Sequence, residues 1–214
     1  MAVGHEGDDE LSAWQGLAPW VLASASPRRA DLLEQGGLSF RVHAVSIDET
    51  PLPSESPTVL CERLAREKAA AGAELFPDES ILGGDTVVAL GDKILGKPRD
   101  RRDAEGMLRE LSGGTHQVFS SVALLAAARL GPPNSLAGVS GVAVSDVRFD
   151  DLDEFTLRTY LDGGEWEGKA GAYGIQGDGG AFAHLISGDK DTVVGLPMAL
   201  VLSLADELRV LTDV

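Results

Sequence analysis

Short apolar segments alternate with amphipathic segments along most of this chain, beginning at Trp20. In five of the amphipathic segments apolar side chains recur every three or four residues, and Ser-Pro steps or glycines mark the ends, which predicts helices. The predicted helices cover residues 26–37, 56–76, 103–111, 151–161 and 197–211. The first two begin at Ser26 and Ser56, each followed by a proline, which is a favoured first helical residue.

Seven apolar segments rich in β-branched residues predict strands. They cover residues 20–26, 40–48, 80–90, 93–96, 116–127, 141–149 and 181–187. Several follow one another with no helix between them. The sequence therefore predicts an α/β fold with flanking helices and a mixed, partly antiparallel sheet. Residues 128–141 are rich in Gly and Pro, which predicts a long hairpin connection or a surface loop.

The start of the chain differs from the rest. Residues 1–17 are polar, acidic and without a period, which predicts a flexible acidic N-terminal extension. Residues 18–214 are predicted to form a single domain, since 43% hydrophobic content can supply one core. No apolar run approaches the roughly 18 residues that span a bilayer, and the acidic start is unlike a signal peptide. A cytoplasmic protein with no membrane partner is expected.

The formal net charge of −16 limits what the protein is expected to bind. Nucleic-acid affinity depends on clustered Lys and Arg, so no nucleic-acid partner is expected. A small anionic ligand remains compatible with this charge if a few basic residues gather in one place and a divalent cation assists them. The one cysteine, Cys61, lies in an apolar helical stripe and is interpreted as a buried thiol.

The segment around Asp85 carries the most informative chemistry. Residues 91–92 are Gly-Asp between two apolar runs, which predicts a tight hairpin. A strict two-residue loop places Lys97 opposite Thr86, one step from Asp85. A bulge at Gly96 would instead bring Lys97 to the Asp85 face, and the sequence leaves both arrangements open. In either case an acid and a base lie near one another at the end of the hairpin.

A second basic residue occupies an unusual place in a predicted helix. Lys68 follows Leu60 and Leu64 at four-residue spacing, so it lies on the stripe that faces the core. A lysine there either extends to solvent or meets an anion. Asp48 and Glu49 end the second predicted strand, where they either ligate a hard cation or cap a turn.

A strand that runs directly into a helix leaves free backbone N–H groups at the helix start, which bind anions. The first predicted strand and helix meet in this way, and an ordinary capped helix with exposed arginines is the alternative. The polar side chains around this junction are Ser24, Ser26, Arg28 and Arg29. Residues 169–177 combine a base, small residues and an amide, which suits either a loop that closes over a nucleotide or a glycine-rich turn.

Eight ordered segments resemble those of the Maf family over about residues 20 to 205: ASASPRR, IDET, RLAREKA, GGDTVV, GKPRD, LSGGTHQV, KAGAYGIQG and VVGLP. The resemblance implies a fold related to that of inosine triphosphate pyrophosphatases, with two lobes around a cleft and usually a homodimer. It also implies hydrolysis of a nucleoside triphosphate to the monophosphate and pyrophosphate with a divalent metal, Mg²⁺ or Mn²⁺.

The resemblance further implies roles for single residues. Asp85 resembles the family's catalytic acidic residue, which accepts a proton from water and helps to hold the metal. Glu49 resembles a carboxylate on the metal side. The residues that resemble the family's phosphate-binding set are Ser24, Arg29, Lys68 and Lys97.

Three positions resemble the subfamily that acts on dTTP and UTP, in which Thr follows the catalytic Asp and the late loop contains AYGIQG. They are Thr86, Gln176 and Arg28, which the resemblance implies to be the base selectors. A Gln amide offers both a donor and an acceptor to a pyrimidine edge. The implied role is house-cleaning of normal and modified pyrimidine nucleotides.

Three alternatives stay open. A sister subfamily hydrolyses 7-methylguanosine triphosphate, but it has Gln after the catalytic Asp. The chain would otherwise be a non-catalytic nucleotide-binding regulator of cell division, or a serine amidase built on Ser24 and Lys68, which leaves the arginines and carboxylates unexplained.

Residues 120–121 are Ser-Ser where the family often has Thr-Gly, and they are expected to tighten a turn or alter a cleft wall.

Overall fold

The computed structural model describes residues 12–127 and 136–212. In these residues seven strands form one sheet. The strands are β1 (Trp20–Leu22), β2 (Arg41–Val42), β3 (Ser80–Leu90), β4 (Lys93–Leu95), β5 (Thr115–Ala127), β6 (Leu136–Phe149) and β7 (Ala183–Ser187). The helices are α1 (Pro27–Gln35), α2 (Pro57–Leu75), α3 (Arg101–Leu111), α4 (Glu154–Gly163), α5 (Lys190–Val194) and α6 (Met198–Thr212), with 3₁₀ helices at Ala170–Ala172 and Asp178–Ala181.

The sheet is mixed, as the sequence predicts. Its order is β2-β1-β3-β5-β6-β7, and β4 pairs with β3 beside this path. Strand β1 is parallel to β2 and β3, whereas the pairs β3–β4, β3–β5, β5–β6 and β6–β7 are antiparallel. The predicted α/β fold with a partly antiparallel sheet and flanking helices is confirmed.

Two hydrophobic clusters lie at different points along the long strand β3. Leu82 packs in the first cluster with Leu33 of α1 and with residues of α6. Val88 packs in the second with Leu108 of α3 and with residues of α4. Asp85 lies on β3 between Leu82 and Val88. The two clusters therefore form two lobes, and the strand that joins them carries the candidate catalytic acid between the two.

Helix α2 covers the face of the sheet opposite to α1. Successive strand residues point to opposite faces. Val21 of β1 packs with Ala65 of α2, whereas its neighbour Leu22 packs with Leu33 of α1. Within residues 12–127 and 136–212, no helix is long and apolar enough to cross a membrane.

Some boundaries differ from the predicted ones. The strand predicted at residues 40–48 is only Arg41–Val42, since β1, its one partner in the sheet, is itself only three residues long. Residues 43–49 leave the sheet. Strand β6 begins at Leu136 because it pairs with β5 as far as Ala127, so residues 136–140 extend the sheet. The rest of the predicted connection, residues 128–135, lies outside the described residues. Helix α5 has five residues, too few to show a helical period in the sequence.

The last residues of the predicted flexible N-terminal extension are helical and packed in the structure. Residues 12–16 are helical, and Trp14 is buried. Its ring stacks on Trp20 at a centroid distance of 4.0 Å, and Trp20 Nε1 donates a hydrogen bond of 2.8 Å to the Trp14 carbonyl. Burial of a large aromatic ring stabilises this contact. Residues 1–11 lie outside the described residues, and a single domain over residues 18–214 stays a prediction.

Candidate active site

Asp85 meets Lys68 because a glycine allows α2 to approach β3 closely. A Cβ atom on Gly83 would lie 2.3 Å from the Ala65 carbonyl oxygen and 2.6 Å from the Ala69 nitrogen, both backbone atoms of α2. Only glycine leaves room for such an approach. The helix backbone therefore lies directly on the strand, and the core-facing Lys68 reaches Asp85, two residues after Gly83. The anion alternative for Lys68 holds, and the solvent alternative does not.

Two acids and two bases form one network. Lys68 Nζ lies 2.6 Å from Asp85 Oδ1 and 2.5 Å from Glu49 Oε1. Lys97 Nζ lies 3.1 Å from Glu49 Oε2. Lys68 and Asp85 are both buried, while Glu49 and Lys97 are more open. Burial alone would raise the pKa of Glu49, but its bonds to Lys68 and Lys97 outweigh this and lower the pKa, so Glu49 is ionised near neutral pH.

The hairpin register decides how Lys97 reaches this network. Leu90 pairs with Lys93 across a two-residue loop, and the ladder continues to Val88 and Leu95, where β4 ends. The strict two-residue loop is confirmed. Lys97 lies beyond the last ladder pair, and its ammonium group bonds Glu49. No bulge is needed to bring it to the acid side.

Glu49 and Asp48 have different roles in the segment that follows β2. Asp48 Oδ1 accepts the Thr50 N–H at 2.9 Å, so Asp48 caps a turn. Arg63 of α2 bonds Glu55 through two nitrogens at 2.7 and 2.8 Å and also donates to the Thr50 carbonyl at 3.2 Å. Such bidentate pairs are strong and directional. They hold this segment against α2, where Glu49 meets Lys68.

Arg29 is buried and ties three parts of the chain together. Its Nε donates to the Gly195 carbonyl at 2.9 Å, Nη1 to Ser24 Oγ at 2.9 Å and Nη2 to Thr86 Oγ1 at 3.1 Å. Burial lowers the pKa of Arg29, and the negative charge of Asp85 opposes this. Ser24 and Arg29, both predicted phosphate ligands, thus bind each other behind the cleft surface. Arg29 still reaches the cleft, whereas Ser24 does not line it.

A cleft of about 820 Å³ opens over these groups, which is within the usual range for ligand sites. Seven of the nine predicted site residues line it: Arg28, Arg29, Lys68, Asp85, Thr86, Lys97 and Gln176. The other two, Ser24 and Glu49, bond the lining residues Arg29 and Lys68. The structure therefore brings residues that are distant in the sequence to one cavity.

Part of the cleft wall is formed by residues of the segment 165–177, and it contains two residues that the sequence interpretation did not select. Lys169 and Glu165 both line the cleft. Burial lowers the pKa of Lys169, and the positive charge of Arg28 adds to this. Burial also lowers the pKa of Arg28, while Glu165 opposes the shift. The base at the start of KAGAYGIQG was the available signal for Lys169, and Glu165 lies in no charged motif.

Ser120 and Ser121 lie in the middle of β5, where they pair with Thr86 and Asp85. They do not tighten a turn. Ser120 Oγ lies 3.0 Å from Thr86 Oγ1 and donates to the Thr192 carbonyl at 2.7 Å. Ser121 donates to the Cys61 carbonyl at 2.5 Å. The two serines therefore support the strand that carries Asp85 from the neighbouring strand of the sheet.

The Cys61 thiol and the Ser24 hydroxyl near the site are not arranged as nucleophiles. Cys61 is buried, and burial with the nearby Asp85 charge raises the pKa of its thiol to about 12, so the interpretation as an inert thiol agrees with the structure. Ser24 Oγ accepts hydrogen bonds from Arg29 and from the Ser26 N–H. Lys68 forms ion pairs with two carboxylates, and it does not bond Ser24. The Ser24–Lys68 amidase alternative has no geometric support.

Asp85 and Glu49 are the groups that fit a hard divalent cation. Both bond the same ammonium group, so their carboxylates lie close together. No group of three or more His, Cys, Asp or Glu with metal-binding geometry occurs in the part of the chain that the structure describes. Magnesium is commonly held by one or two carboxylates with substrate phosphates and water, so two carboxylates fit it.

The family model described as Maf-like protein matches residues 19–208. A curated relative from Pelotomaculum thermopropionicum named dTTP/UTP pyrophosphatase is 46% identical over 191 residues, which cover 88% of this chain and 94% of the relative. Relatives with the same name from Pseudoalteromonas translucida and Rhodospirillum rubrum are 45% and 44% identical, covering 83% and 92% of this chain and 90% and 91% of their own lengths. By family match and by identity, this chain is a member of the Maf-like protein family.

Proposed function

We propose that this protein hydrolyses dTTP and UTP between the α and β phosphates and releases pyrophosphate and the nucleoside monophosphate. The observation that carries the proposal is the buried Asp85–Lys68 pair, joined to Glu49 and Lys97, at the floor of a cleft. The relatives named dTTP/UTP pyrophosphatase, which are 46% and 45% identical, support the choice of substrate.

In the proposed reaction, Asp85 accepts a proton from the attacking water. Lys68 and Lys97 attract the triphosphate into the cleft before this step, and Arg28 and Lys169, which line the same cleft, supply further positive charge. A divalent cation held by Asp85 and Glu49 would neutralise phosphate charge as it develops. Such local positive charge is required because the whole chain carries −16 and repels a polyanion.

We propose that Gln176 recognises the base. Its side chain is exposed at the cleft wall, and its amide has the donor and acceptor that a pyrimidine edge requires. The hydroxyl of Thr86, in contrast, is bonded to Arg29 and Ser120, so Thr86 shapes the pocket beside Asp85.

We expect Gln176→Ala to reduce kcat/KM for dTTP and UTP by about ten- to a hundredfold, since a lost polar contact costs about 1–3 kcal/mol. Hydrolysis of ATP and GTP, which we expect to be poor in the wild type, should change little. Gln117→Ala, which removes an exposed amide elsewhere on the sheet, is the matched control. An unchanged pyrimidine preference in Gln176→Ala would refute the role of Gln176.

We expect Lys68→Ala to lower substrate use and to destabilise the fold moderately without unfolding it. Loss of Lys68 leaves Asp85 and Glu49 without their shared cation, and breaking a buried ion pair costs about 3 kcal/mol. Steady-state kinetics and thermal unfolding measure the two effects. Lys93→Ala, which removes an exposed lysine paired with Glu110, should affect neither. A Lys68→Ala protein with normal turnover would contradict the proposal.

The substrate proposal is tested by pyrophosphate release from a panel of nucleoside triphosphates that includes ATP, GTP and 7-methylguanosine triphosphate. We expect dTTP and UTP to be hydrolysed best. Preference for 7-methylguanosine triphosphate would overturn the subfamily assignment, and binding without turnover would favour the non-catalytic regulator. We also propose that the protein acts in the cytoplasm as a homodimer, as the resemblance to the family implies. The net charge of −16 makes a nucleic-acid partner unfavourable.

A further inference from the structure

Glu165 lies at the lip of the cleft, immediately after α4. The helix ends at Gly163, and its C-cap Gly164 has a left-handed conformation with φ of 72° that turns the chain toward the cleft. Glu165 follows this turn and is half-buried among the cleft-lining residues. Its backbone carbonyl accepts a hydrogen bond from the Lys169 ammonium group. Glu165 therefore lies between the C-terminal end of α4 and the segment of the cleft wall that carries Gln176.

The Glu165 side chain contacts the backbone on both sides of Gln176. Glu165 Oε2 accepts the Asp178 N–H at 2.6 Å, and this N–H begins the 3₁₀ helix Asp178–Ala181. A Cβ atom on Gly174 would lie 2.6 Å from Glu165 Oε1, and one on Gly177 would lie 2.4 Å from Oε2. The carboxylate thus lies directly against the backbone of residues 174–178, here called the Gln176 loop.

A second side chain from α4 holds the beginning of the same loop. The Tyr160 hydroxyl accepts the Gly174 N–H at 3.2 Å. Burial raises the pKa of Tyr160, and the negative charge of Glu165 adds to this. Helix α4 and its C-terminal turn therefore support the Gln176 loop at both ends.

The Gln176 side chain has no comparable support of its own. It is exposed, and within residues 12–127 and 136–212 no hydrogen bond to its amide is formed. Its direction therefore follows from the backbone on which it stands. Fixing that backbone reduces the conformational freedom that base recognition would otherwise have to remove.

We propose that Glu165 is a positioning residue for base selection: its carboxylate fixes the Gln176 loop so that the Gln176 amide faces the base of the bound nucleotide. The base-selection part rests on the proposed function, whereas the loop-ordering part concerns the protein alone. Glu165 acts through the loop and does not contact the reacting phosphates.

The test compares Glu165→Ala with Glu165→Gln, which removes the charge but keeps an oxygen that accepts the Asp178 N–H. Glu167→Ala is the matched control, because Glu167 is an exposed glutamate at the same cleft wall and its loss changes the net charge equally. Hydrogen–deuterium exchange of the peptide that contains the Gln176 loop is measured without nucleotide. The kcat and KM values for dTTP and ATP are measured in parallel.

We expect Glu165→Ala to accelerate exchange in the Gln176 loop by at least ~tenfold, with exchange elsewhere unchanged. We also expect about a tenfold loss of dTTP-over-ATP selectivity, carried mainly by KM for dTTP. Glu165→Gln and Glu167→Ala should remain close to wild type. If the alanine variant does not fold, Glu165→Asp, whose carboxylate is one methylene shorter, replaces it in the same comparison.

The proposal would be overturned if the Gln176 loop of Glu165→Ala exchanged hydrogen at the wild-type rate. It would also be overturned if Glu165→Gln were as impaired as Glu165→Ala, since the charge of Glu165 and not its hydrogen bond would then be responsible. A wild-type protein that hydrolyses no nucleoside triphosphate would instead refute the proposed function. The exchange measurement would still decide whether Glu165 orders the loop.

Discussion

Replacing Asp85 with asparagine is expected to lower turnover of dTTP by at least ~100-fold, the lower range for loss of a general base. Asparagine keeps the size of the side chain but cannot accept the proton from water. The variant should stay folded because Lys68 keeps its second partner, Glu49, at 2.5 Å. Steady-state turnover and thermal unfolding of the same preparation measure the two quantities.

The matched control for this substitution is Asp92→Asn. Asp92 is exposed in the two-residue loop of the same hairpin, and asparagine is well tolerated in such turns. The control should retain turnover within about twofold, as is usual for a surface change far from the site. Near wild-type turnover of a folded Asp85→Asn protein would show that Asp85 is not the catalytic acid.

Removal of divalent metal is expected to abolish turnover. The chain carries −16 and the substrate is a polyanion, so Lys68 and Lys97, which already bond carboxylates, cannot supply all the positive charge required. Dialysis against excess EDTA should lower the rate by at least ~100-fold, by the same order as loss of a catalytic group. Mg²⁺ or Mn²⁺ should restore it.

The fold should not depend on that metal. Lys68 bonds both candidate metal ligands, Asp85 and Glu49, and Lys97 bonds Glu49, so two ammonium groups balance the two carboxylates when no cation is bound. The thermal unfolding midpoint should therefore change little on dialysis. Full turnover in excess EDTA would refute the metal requirement, while unfolding in EDTA would show that the metal has a structural role.

Local signals in the sequence were sufficient where neighbouring residues decide the geometry. The Gly-Asp dipeptide at residues 91–92 predicted the tight hairpin, and the observed register of its strands places Lys97 just beyond β4. The four-residue spacing of α2 placed Lys68 on the buried side, and Gly83 explains why an acid lies within 2.6 Å of it. These residues interact within one helix or one strand pair, so their spacing in the sequence predicts which side chains share a face.

Contacts between distant segments were not predictable in the same way. Arg29 bonds Gly195, 166 positions away, so this predicted phosphate ligand also links three segments of the chain. Glu165 reaches Asp178 only because of the left-handed turn at Gly164. Trp14 is buried by Trp20, although the polar residues around it predicted a loose extension. Each of these depends on tertiary packing that no local period encodes.

The most direct test of the proposed function is hydrolysis of dTTP in water labelled with the heavy oxygen isotope, followed by mass analysis of the products. If Asp85 directs water to the α phosphorus, the label should appear in the nucleoside monophosphate while the other product is pyrophosphate. Label in pyrophosphate would indicate attack on the β phosphorus. Release of orthophosphate and dTDP would indicate cleavage at the terminal phosphate, and either result would contradict the proposed reaction.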